Sequence, residues 1–279
     1  MTPVPRLCVV VPTRDRPERL ARCLAALERQ TADLFEIVVV DDASREAGAV
    51  RSAVAGAPRA RLVRGEGRGP AAARNTGVRA ARAPVICFTD DDCAPVPGWL
   101  EALAGRFAAG ADAVAGPTRN AGRGAAASAA QTITNHLAMA SLDPATRRLG
   151  FAPTSNLACR AEILRALAFD ERYPLAAGED RDWCARLERC GLALVFEPAA
   201  AVDHHQELSP GAFWRQQVRY GRGALRLHRT RARAERLQRP RFYLTLLRRG
   251  FAQGAPTGVL VALAQVATAA GMALEALDR

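Results

Sequence analysis

The first 115 residues alternate between short apolar runs and amphipathic segments, and this alternation constrains the fold more than any other feature of the chain. Apolar runs that predict strands lie at 7–11, 35–40, 61–63, 85–88 and 113–114, with helical patterns between them at 17–29, 44–55, 70–81 and 98–107. Leu20, Leu24 and Leu27 recur at the spacing of one helix face. Strands and helices that alternate in this way predict an α/β fold with a mostly parallel sheet and helices on both faces.

Three adjacent carboxylates, Asp90, Asp91 and Asp92, follow the apolar run at 85–88. Neighbouring negative charges repel one another unless water or a cation compensates them. Because open α/β sheets bind their ligands at the carboxyl ends of strands, a cation held here would lie in a ligand site. Carboxylate oxygens suit Mg²⁺ or Mn²⁺. The motif therefore indicates a divalent-metal site, and the alternative interpretation is a solvated acidic turn.

Two further polar motifs follow predicted strands in the same half. Asp41 and Asp42 end the second strand, where a carboxylate either accepts a hydrogen bond from a nucleobase or ribose or caps the next helix. The glycine-rich stretch 65–70 leads into a helix that carries Arg74 and Asn75. Helix N-termini offer free N–H groups to phosphate, so this stretch is a candidate phosphate site, with a flexible turn as the alternative. Its spacing is not that of a dinucleotide-binding loop.

The second half of the chain carries two weaker motifs. Glu179 and Asp180 open a predicted helix, where Asp180 is either a general base or an acid that complements the helix dipole. His204 and His205 end a short predicted strand. Because successive side chains of a strand point to opposite faces, at most one of the two histidines is expected to face a site.

Positive charge is concentrated in one segment. The net charge is +11 and all 39 basic residues are arginine. Residues 215–249 hold twelve arginines and one acid, so the remaining 27 arginines and 27 acids balance. Without lysine, the chain can hold neither a Walker A phosphate loop nor a Schiff-base lysine. A predicted helix at the start of this segment carries Gln216, Arg219 and Tyr220, which either contact a ligand or form a solvated face.

Cysteine usage and the N-terminus bear on the compartment. The seven cysteines include no C-x-x-C pair, which indicates reduced thiols in the cytosol rather than a disulfide framework or a zinc site. The first residues lack the basic and hydrophobic regions of a signal peptide, because the run at 7–11 predicts a strand. We therefore expect a cytoplasmic protein.

The order of the motifs resembles family 2 glycosyltransferases with a GT-A fold. Five short motifs over roughly residues 5–225 carry the resemblance: VVVPTRDR at 9–16, VDDAS at 40–44, RN at 74–75, DDD at 90–92 and GED at 178–180. The resemblance implies a Rossmann-like three-layer fold. It also implies an inverting, metal-assisted enzyme that moves a sugar from a nucleotide-diphosphate sugar to an acceptor hydroxyl.

The resemblance also implies roles for individual residues. Asp180 would match the catalytic base, Asp92 would lie nearest the metal, and Asp90 would lie nearer the ribose or sugar. His205 is a weaker metal candidate. The remaining donor-binding candidates are Pro12, Thr13, Arg14, Asp41, Asp42, Arg68, Gly69, Arg74, Asn75 and Asp91, with Asp42 expected at the base.

Four further residues are weaker candidates for contact with the acceptor or the diphosphate: Glu179, Gln216, Arg219 and Tyr220. The last three are similar to the Q-x-x-R-W motif of processive synthases, except that tyrosine replaces tryptophan. The long transmembrane bundle of those synthases is also missing. Transfer of a single sugar is therefore favoured over polymer synthesis.

The resemblance predicts a glycosyltransferase domain at 1–207 and a basic helical extension at 208–279. The domain would divide into a nucleotide-binding half, 1–115, and an acceptor half, 116–207. Within the acceptor half we expect a mobile loop at 121–128, strands at 152–159, 193–196 and 201–204, and a helix at 179–190. The extension is expected to form helices at 213–229, 241–251 and 258–277.

The extension has two interpretations. Arginines beside an apolar helix fit peripheral attachment to anionic lipid at the inner face of the cell membrane, through residues 215–277. The alternative is that the last helix packs on the core. Nucleic acid is not an expected partner, because the arginines have few interleaved aromatic residues and no recognisable motif.

The expected partners are a nucleotide-sugar donor and a carbohydrate or lipid-linked acceptor. One rival function is a catalytically inactive membrane partner that only binds a nucleotide sugar. A second rival, less favoured, is a sugar-1-phosphate nucleotidyltransferase, which typically needs a lysine-bearing glycine-rich loop near the N-terminus.

Overall fold

The computed structural model describes residues 6–173, 175, 177–230 and 238–278. Its first half contains β1 Leu7–Thr13, α1 Pro17–Glu28, β2 Phe35–Asp41, α2 Ala47–Ala55, β3 Ala60–Arg64, α3 Pro70–Ala80, β4 Val85–Phe88, β5 Cys93–Pro95, α4 Trp99–Ala108 and β6 Ala113–Ala115. The second half contains β7 Thr118–Asn120, α5 Gly124–Met139, β8 Leu157–Arg160, α6 Ala161–Ala166, α7 Glu179–Arg189, β9 Leu194–Phe196, β10 Val202–His204, α8 Pro210–Thr230, α9 Pro240–Ala252 and α10 Ala255–Leu277.

Seven strands form the central sheet, in the order β3-β2-β1-β4-β8-β6-β9. All of them run parallel except β8, which is antiparallel to both of its neighbours. The chain leaves β1 in one direction along the sheet to β2 and β3, and returns to the other side of β1 with β4. Such a switch in strand order is where open α/β sheets bind ligands. The predicted α/β fold with a mostly parallel sheet is confirmed.

Apolar side chains cover both faces of the sheet because successive strand residues point to opposite sides. On β1, Val9 and Val11 pack in the cluster that includes α1, α2 and α4. Cys8 and Val10 pack on the other face, in the cluster that includes α3, α6 and α7. Burial on both faces explains why β1 is a continuous apolar run rather than an alternating one.

Two predictions for the acceptor half need correction. The mobile loop expected at 121–128 is wrong, since residue 124 begins the 16-residue helix α5. Alanine has the highest helix propensity, and the alanines of this stretch are buried against the last three helices. The strand expected at 152–159 is shorter than predicted, because a 3₁₀ turn at Thr154–Asn156 precedes β8.

The C-terminal helices pack on α5 and on one another. Phe213 of α8, Leu246 of α9 and Val261 of α10 share one hydrophobic cluster with the alanines of α5. Helix α10 approaches α8 very closely: a Cβ atom built on Gly221 or on Gly271 would lie 2.0 Å from a backbone oxygen of the other helix. The last helix therefore packs on the rest of the protein through one face, as the alternative interpretation predicted, while its other face is exposed.

Part of the arginine-rich segment is neutralised inside this helical region. Arg222 and Arg226 of α8 pair with the buried carboxylate of Glu275 on α10, at 2.9 and 2.5 Å. The remaining positive charge of the described residues includes the exposed Arg241 and Arg248 of α9. Residues 231–237, which hold three more arginines of the segment, lie outside the described residues.

Candidate active site

The carboxyl ends of β1, β2 and β4 open into a cavity of about 880 Å³, which we call the larger cavity. Helix α8 forms another part of its wall. The larger cavity brings together twelve residues that the sequence predicted for the site: Pro12, Thr13, Arg14, Asp42, Gly69, Arg74, Asp90, Asp91, Asp92, Gln216, Arg219 and Tyr220. The switch point thus gathers residues as far apart in the chain as Pro12 and Tyr220.

Asp91 joins the end of β4 to β1 and α1. Its buried carboxylate accepts a hydrogen bond from the Thr13 hydroxyl at 2.8 Å and pairs with Arg16 at 3.2 Å. Burial raises the pKa of Asp91 to about 6, although the charge of Arg16 opposes that shift. Asp91 thus connects β1 and the residue before α1 in the lining of the larger cavity.

Asp92 lies against a histidine. Its Oδ1 is 3.2 Å from Nε2 of His204, and Nδ1 of His204 is 3.0 Å from Oε1 of Gln131. Burial acts to raise the pKa of Asp92, but the hydrogen bond and charge of His204, together with Arg16 and Arg19, lower it overall. The Asp92 carboxylate is therefore ionised at neutral pH.

The Asp92–His204 pair fits a divalent ion. Loss of the Nε2 proton of His204, with Gln131 accepting the Nδ1–H, would leave the Nε2 lone pair facing the carboxylate, and a cation between the two would then satisfy both. Carboxylate oxygens suit Mg²⁺ and Mn²⁺, and an added imidazole ligand favours a transition-metal ion over Mg²⁺. The Cys93 sulfur is within 4.8 Å of these ligand atoms. However, burial raises the pKa of that thiol well above its ordinary value, and its side chain packs in the core below α1.

The two adjacent histidines lie differently with respect to the site. The structure brings His204, rather than His205, to Asp92. His205 donates its backbone N–H to the Asp92 carbonyl oxygen at 2.8 Å, and it is not among the described residues that line the cavities. Side chains alternate along β10, so the strand presents only one of the pair to the site.

Arg74 links the aspartate motif to the start of α7. This buried guanidinium lies 2.9 Å from Oδ1 of Asp90 and 3.2 Å from Oε1 of Glu179. Burial raises the pKa of Glu179, helped by the charge of Asp180 and opposed by Arg74. Burial also raises the pKa of Asp180. A carboxylate with a raised pKa is a stronger proton acceptor, which suits a general base.

Asp42 lines the larger cavity and also shapes the glycine-rich loop. Its two carboxylate oxygens accept the backbone N–H groups of Gly67 and Gly69, each at 2.9 Å. Both glycines have positive φ angles, 74° and 95°, which other residues rarely adopt. The carboxylate therefore fixes the loop that leads into α3, with Gly69 at the cavity wall.

Three predicted donor-binding residues lie outside the lining of both cavities. Asp41 is fully buried and accepts the backbone N–H of Ser44 at 2.9 Å. Arg68 pairs with neighbouring glutamates on the surface. The Asn75 side chain makes three hydrogen bonds to the segment 169–171. In this arrangement these side chains position the loops around the site.

A second cavity, of about 260 Å³, adjoins the larger one, and we call it the smaller cavity. Glu179 and Asp180 line only the smaller cavity and not the larger one. Parts of α5, α8, α9 and α10 form the far wall of the smaller cavity. Burial raises the pKa of Tyr220, so its phenol stays protonated at neutral pH. Five residues line both cavities: Arg74, Asp90, His204, Gln206 and Tyr220.

Arg16, Arg19 and Gln131 are site residues that the sequence reasoning missed. Arg16 belongs to the first motif, directly before α1, and Arg19 follows one turn later, so their spacing was a usable signal. Gln131 lies on α5, a helix that the sequence analysis did not predict. No sequence signal pointed to the contact between Gln131 and His204.

The family model for glycosyl transferase family 2 matches residues 8–166. This chain belongs to glycosyl transferase family 2. The resemblance found in the five motifs is thereby confirmed, and the matched region includes the strand ends that form the larger cavity. The residues of α7, β10 and α8 that complete the site lie beyond the matched region.

Two curated relatives extend the similarity. A pre-mycofactocin glycosyltransferase from Mycobacterium tuberculosis is 32% identical over 209 residues, which cover 70% of this chain and 42% of the relative. Glycosyltransferase AglE from Haloferax volcanii is 27% identical over 232 residues, which cover 80% of this chain and 74% of AglE. The chain thus spans less than half the length of the first relative.

Among solved structures, the mannosyltransferase PcManGT from Pyrobaculum calidifontis, in complex with GDP-Man and Mn²⁺, superposes with a TM-score of 0.61. The match covers 99% of this family 2 chain and 80% of PcManGT, at 21% sequence identity. At that identity the likeness concerns the fold, and it confirms the predicted GT-A architecture.

Proposed function

We propose that this family 2 glycosyltransferase moves a single sugar from a nucleoside-diphosphate sugar to an acceptor hydroxyl, with inversion at the anomeric carbon. One observation carries the proposal: Arg74 joins the acidic motif of the larger cavity to the Asp180 motif of the smaller cavity. A donor in the larger cavity and an acceptor in the smaller cavity would meet at this junction. Inversion requires such an arrangement, because the nucleophile and the leaving group lie on opposite sides of the reacting carbon.

Cationic side chains of the larger cavity suit the donor's diphosphate. Six arginines line it: Arg14, Arg16, Arg19, Arg74, Arg215 and Arg219. Guanidinium groups bind phosphate oxygens with paired N–H donors. Among the described residues, Nε of Arg219 is buried without a hydrogen-bond partner, so this donor is free for a phosphate oxygen. Oε1 of Gln216 is also buried and unpaired, but it is an acceptor and suits a hydroxyl of the ligand rather than its phosphates. These observations support diphosphate contact by Arg219.

Asp92 and His204, with Asp90 nearby, would hold a divalent ion. When bound, that ion supplies positive charge that stabilises the departing nucleoside diphosphate. Arg16 and Arg19 pair with Asp92 in the free protein, at 3.7 and 3.5 Å, and Arg16 also pairs with Asp91 at 3.2 Å. The donor's phosphates would draw these arginines toward themselves and leave the Asp92 carboxylate to the ion.

Asp180 would act as the general base. Its carboxylate accepts the proton of the acceptor hydroxyl while that oxygen bonds to the anomeric carbon. The bond from that carbon to the phosphate oxygen breaks at the same time, and its electron pair leaves with the nucleoside diphosphate. General bases typically contribute about 10²–10⁴ in rate.

We also propose that the α9–α10 hairpin attaches the enzyme to an anionic membrane at the inner leaflet. Within the described part of the chain, α10 is the one helix long and apolar enough to cross a bilayer. Its exposed residues are all alanine, proline, valine or leucine, and they include Val259, Leu263 and Val266. The exposed Arg241 and Arg248 of α9 add cationic groups. Since the other face of α10 packs on α8, helix α10 would lie in the membrane–water interface rather than span the bilayer.

A thermal-shift screen of nucleotide sugars, with and without Mn²⁺, tests the proposed function. We expect at least one nucleoside-diphosphate sugar to raise the melting temperature, more strongly with Mn²⁺ than with EDTA. The best donor is then incubated with an acceptor, and NMR determines the anomeric configuration of the product. Product with the donor's configuration retained, or full activity in EDTA without bound metal, would contradict the mechanism.

A further inference from the structure

The smaller cavity combines a charged mouth with an apolar interior. The charged groups among its described lining residues come from the strand ends and from α3 and α7, where Arg74 and Asp180 lie. The wall beyond them carries five large apolar side chains: Ile133, Leu137, Phe151, Phe242 and Leu246. An acceptor that reaches Asp180 from this side therefore places its hydroxyl in a polar region and the rest of its body against apolar surface.

The arginines of the C-terminal helices do not line this wall. From the arginine-rich segment 215–249, the described lining residues are Gln217, Tyr220, Ala224, Phe242 and Leu246. The two arginines that do line the cavity, Arg74 and Arg181, lie at its mouth among the carboxylates of Asp90, Glu179 and Asp180, so an anion against the far wall would lack a cation to compensate its charge. Burying an uncompensated charge is strongly unfavourable, so the wall selects against a phosphate or carboxylate group.

A buried amide on α8 lacks a partner. Gln217 is 2% exposed, and its Nε2 has no hydrogen-bond partner among the described residues. Gln217 lines the smaller cavity, together with Gln265 and Thr268 of α10. Buried N–H groups are nearly always satisfied in folded proteins. An acceptor group with an oxygen lone pair would satisfy this one.

We infer that the smaller cavity binds an uncharged, ring-sized acceptor that is largely apolar and bears a hydroxyl for Asp180 and a second oxygen for Gln217. This inference rests on the proposed function. The volume of about 260 Å³ is slightly below the roughly 300–1,000 Å³ of sites for drug-sized ligands, which sets the size of the bound group. The expected acceptor is thereby narrowed: instead of any carbohydrate or lipid-linked alcohol, we expect a neutral amphipathic alcohol.

A matched pair of simple alcohols tests the charge selection. Benzene-1,4-dimethanol and 4-(hydroxymethyl)benzoate present the same benzylic hydroxyl, but the second compound carries a carboxylate. With Mn²⁺ and the best donor from the thermal-shift screen, we expect transfer to the neutral diol to be at least about tenfold faster. Equal transfer, or faster transfer to the carboxylate, would overturn the inference.

Filling the cavity tests its location. Leu246→Trp should lower the ratio of transfer to donor hydrolysis by about tenfold or more, because the larger ring occupies the acceptor's space. The control is Leu244→Trp, at an exposed position of the same helix, which should leave that ratio unchanged. Ala224→Leu on α8 provides a second filling variant if Leu246→Trp fails to fold. An unchanged ratio in a folded filling variant would contradict the inference.

Gln217→Leu should raise the KM for the neutral diol several-fold with little change in kcat, because Gln217 contacts the acceptor away from the reacting atoms. Donor hydrolysis by the unmodified protein separates the two levels of proposal. Metal-dependent hydrolysis without transfer to the diol would defeat the acceptor inference alone. The absence of both donor binding and hydrolysis would defeat the proposed function as well.

Discussion

The sheet and the C-terminal helices use apolar residues in opposite ways. In the sheet, apolar side chains point inward on both faces, and carboxylates that line the larger cavity follow the ends of strands, as at Asp42 and Asp92. In α10, one face packs on α8 while the opposite face exposes Val259, Leu263 and Val266. The candidate catalytic and ligand-binding groups therefore lie at the carboxyl ends of the strands. The helices, by contrast, supply an apolar lining to the smaller cavity and an apolar surface outside it.

The largest expected effect comes from the two candidate metal ligands, Asp92 and His204, which lie beyond the carboxyl end of β4. Asp92→Asn and His204→Ala should each lower kcat/KM by at least about a hundredfold, because the departing diphosphate loses several kcal/mol of charge stabilisation. Steady-state kinetics across a Mn²⁺ titration measure this loss. His205→Ala and Asp203→Asn, neighbours of His204 on the chain, serve as controls and should stay near the wild-type value. A large loss in His205→Ala, with little in His204→Ala and Asp203→Asn, would indicate His205 as the ligand.

The next effect concerns pH and separates the two cavities. Burial raises the pKa of both Glu179 and Asp180, so the base should become protonated at a higher pH than an ordinary aspartate. As pH falls through these raised values, kcat should decrease by about tenfold per unit, with an apparent pKa clearly above the usual value of about 4. Donor affinity, measured over the same range, should change less. An acid limb near pH 4 would contradict the assigned environment.

The third prediction concerns membrane binding by the exposed face of α10, where we expect the smallest effect on catalysis. Leu263→Asp and Val266→Asp should weaken binding to vesicles that contain anionic lipid by roughly tenfold or more, since each removes apolar burial and adds repulsion. Vesicle co-sedimentation measures the change. Ala55→Asp, on the exposed side of α2, adds the same charge elsewhere and should have little effect. Equal weakening by all three variants would indicate a charge effect without docking of α10.

The difference between the regions also explains what the sequence predicted well. Strands β1, β2 and β4 are buried on both faces, so their apolar runs were visible, and residues directly after them were placed at the larger cavity. Asp41 follows the same rule and Asn75 lies on the helix after the glycine-rich stretch, but the side chains of both are occupied by loop contacts. Which side chain at a strand end faces the cavity depends on tertiary contacts that a linear pattern does not contain.

The helical region was less predictable for a physical reason. Alanine-rich segments such as 124–139 contain few turn or strand signals, and a helix buried through alanines has no strong amphipathic pattern. The contact of Gln131 with His204 and the apolar wall of the smaller cavity arise from packing among four helices. The resemblance supplied Asp180, whereas the cavity beside it required the fold.

The central claim is that donor binding and proton removal reside in two cavities that meet at Arg74. Asp180→Asn tests it most directly when donor Kd and kcat are measured on the same sample. The account predicts a donor Kd within about threefold of wild type and a kcat lower by about 10²–10⁴. A near-normal kcat, or a loss of donor binding in parallel with activity, would contradict that division of roles.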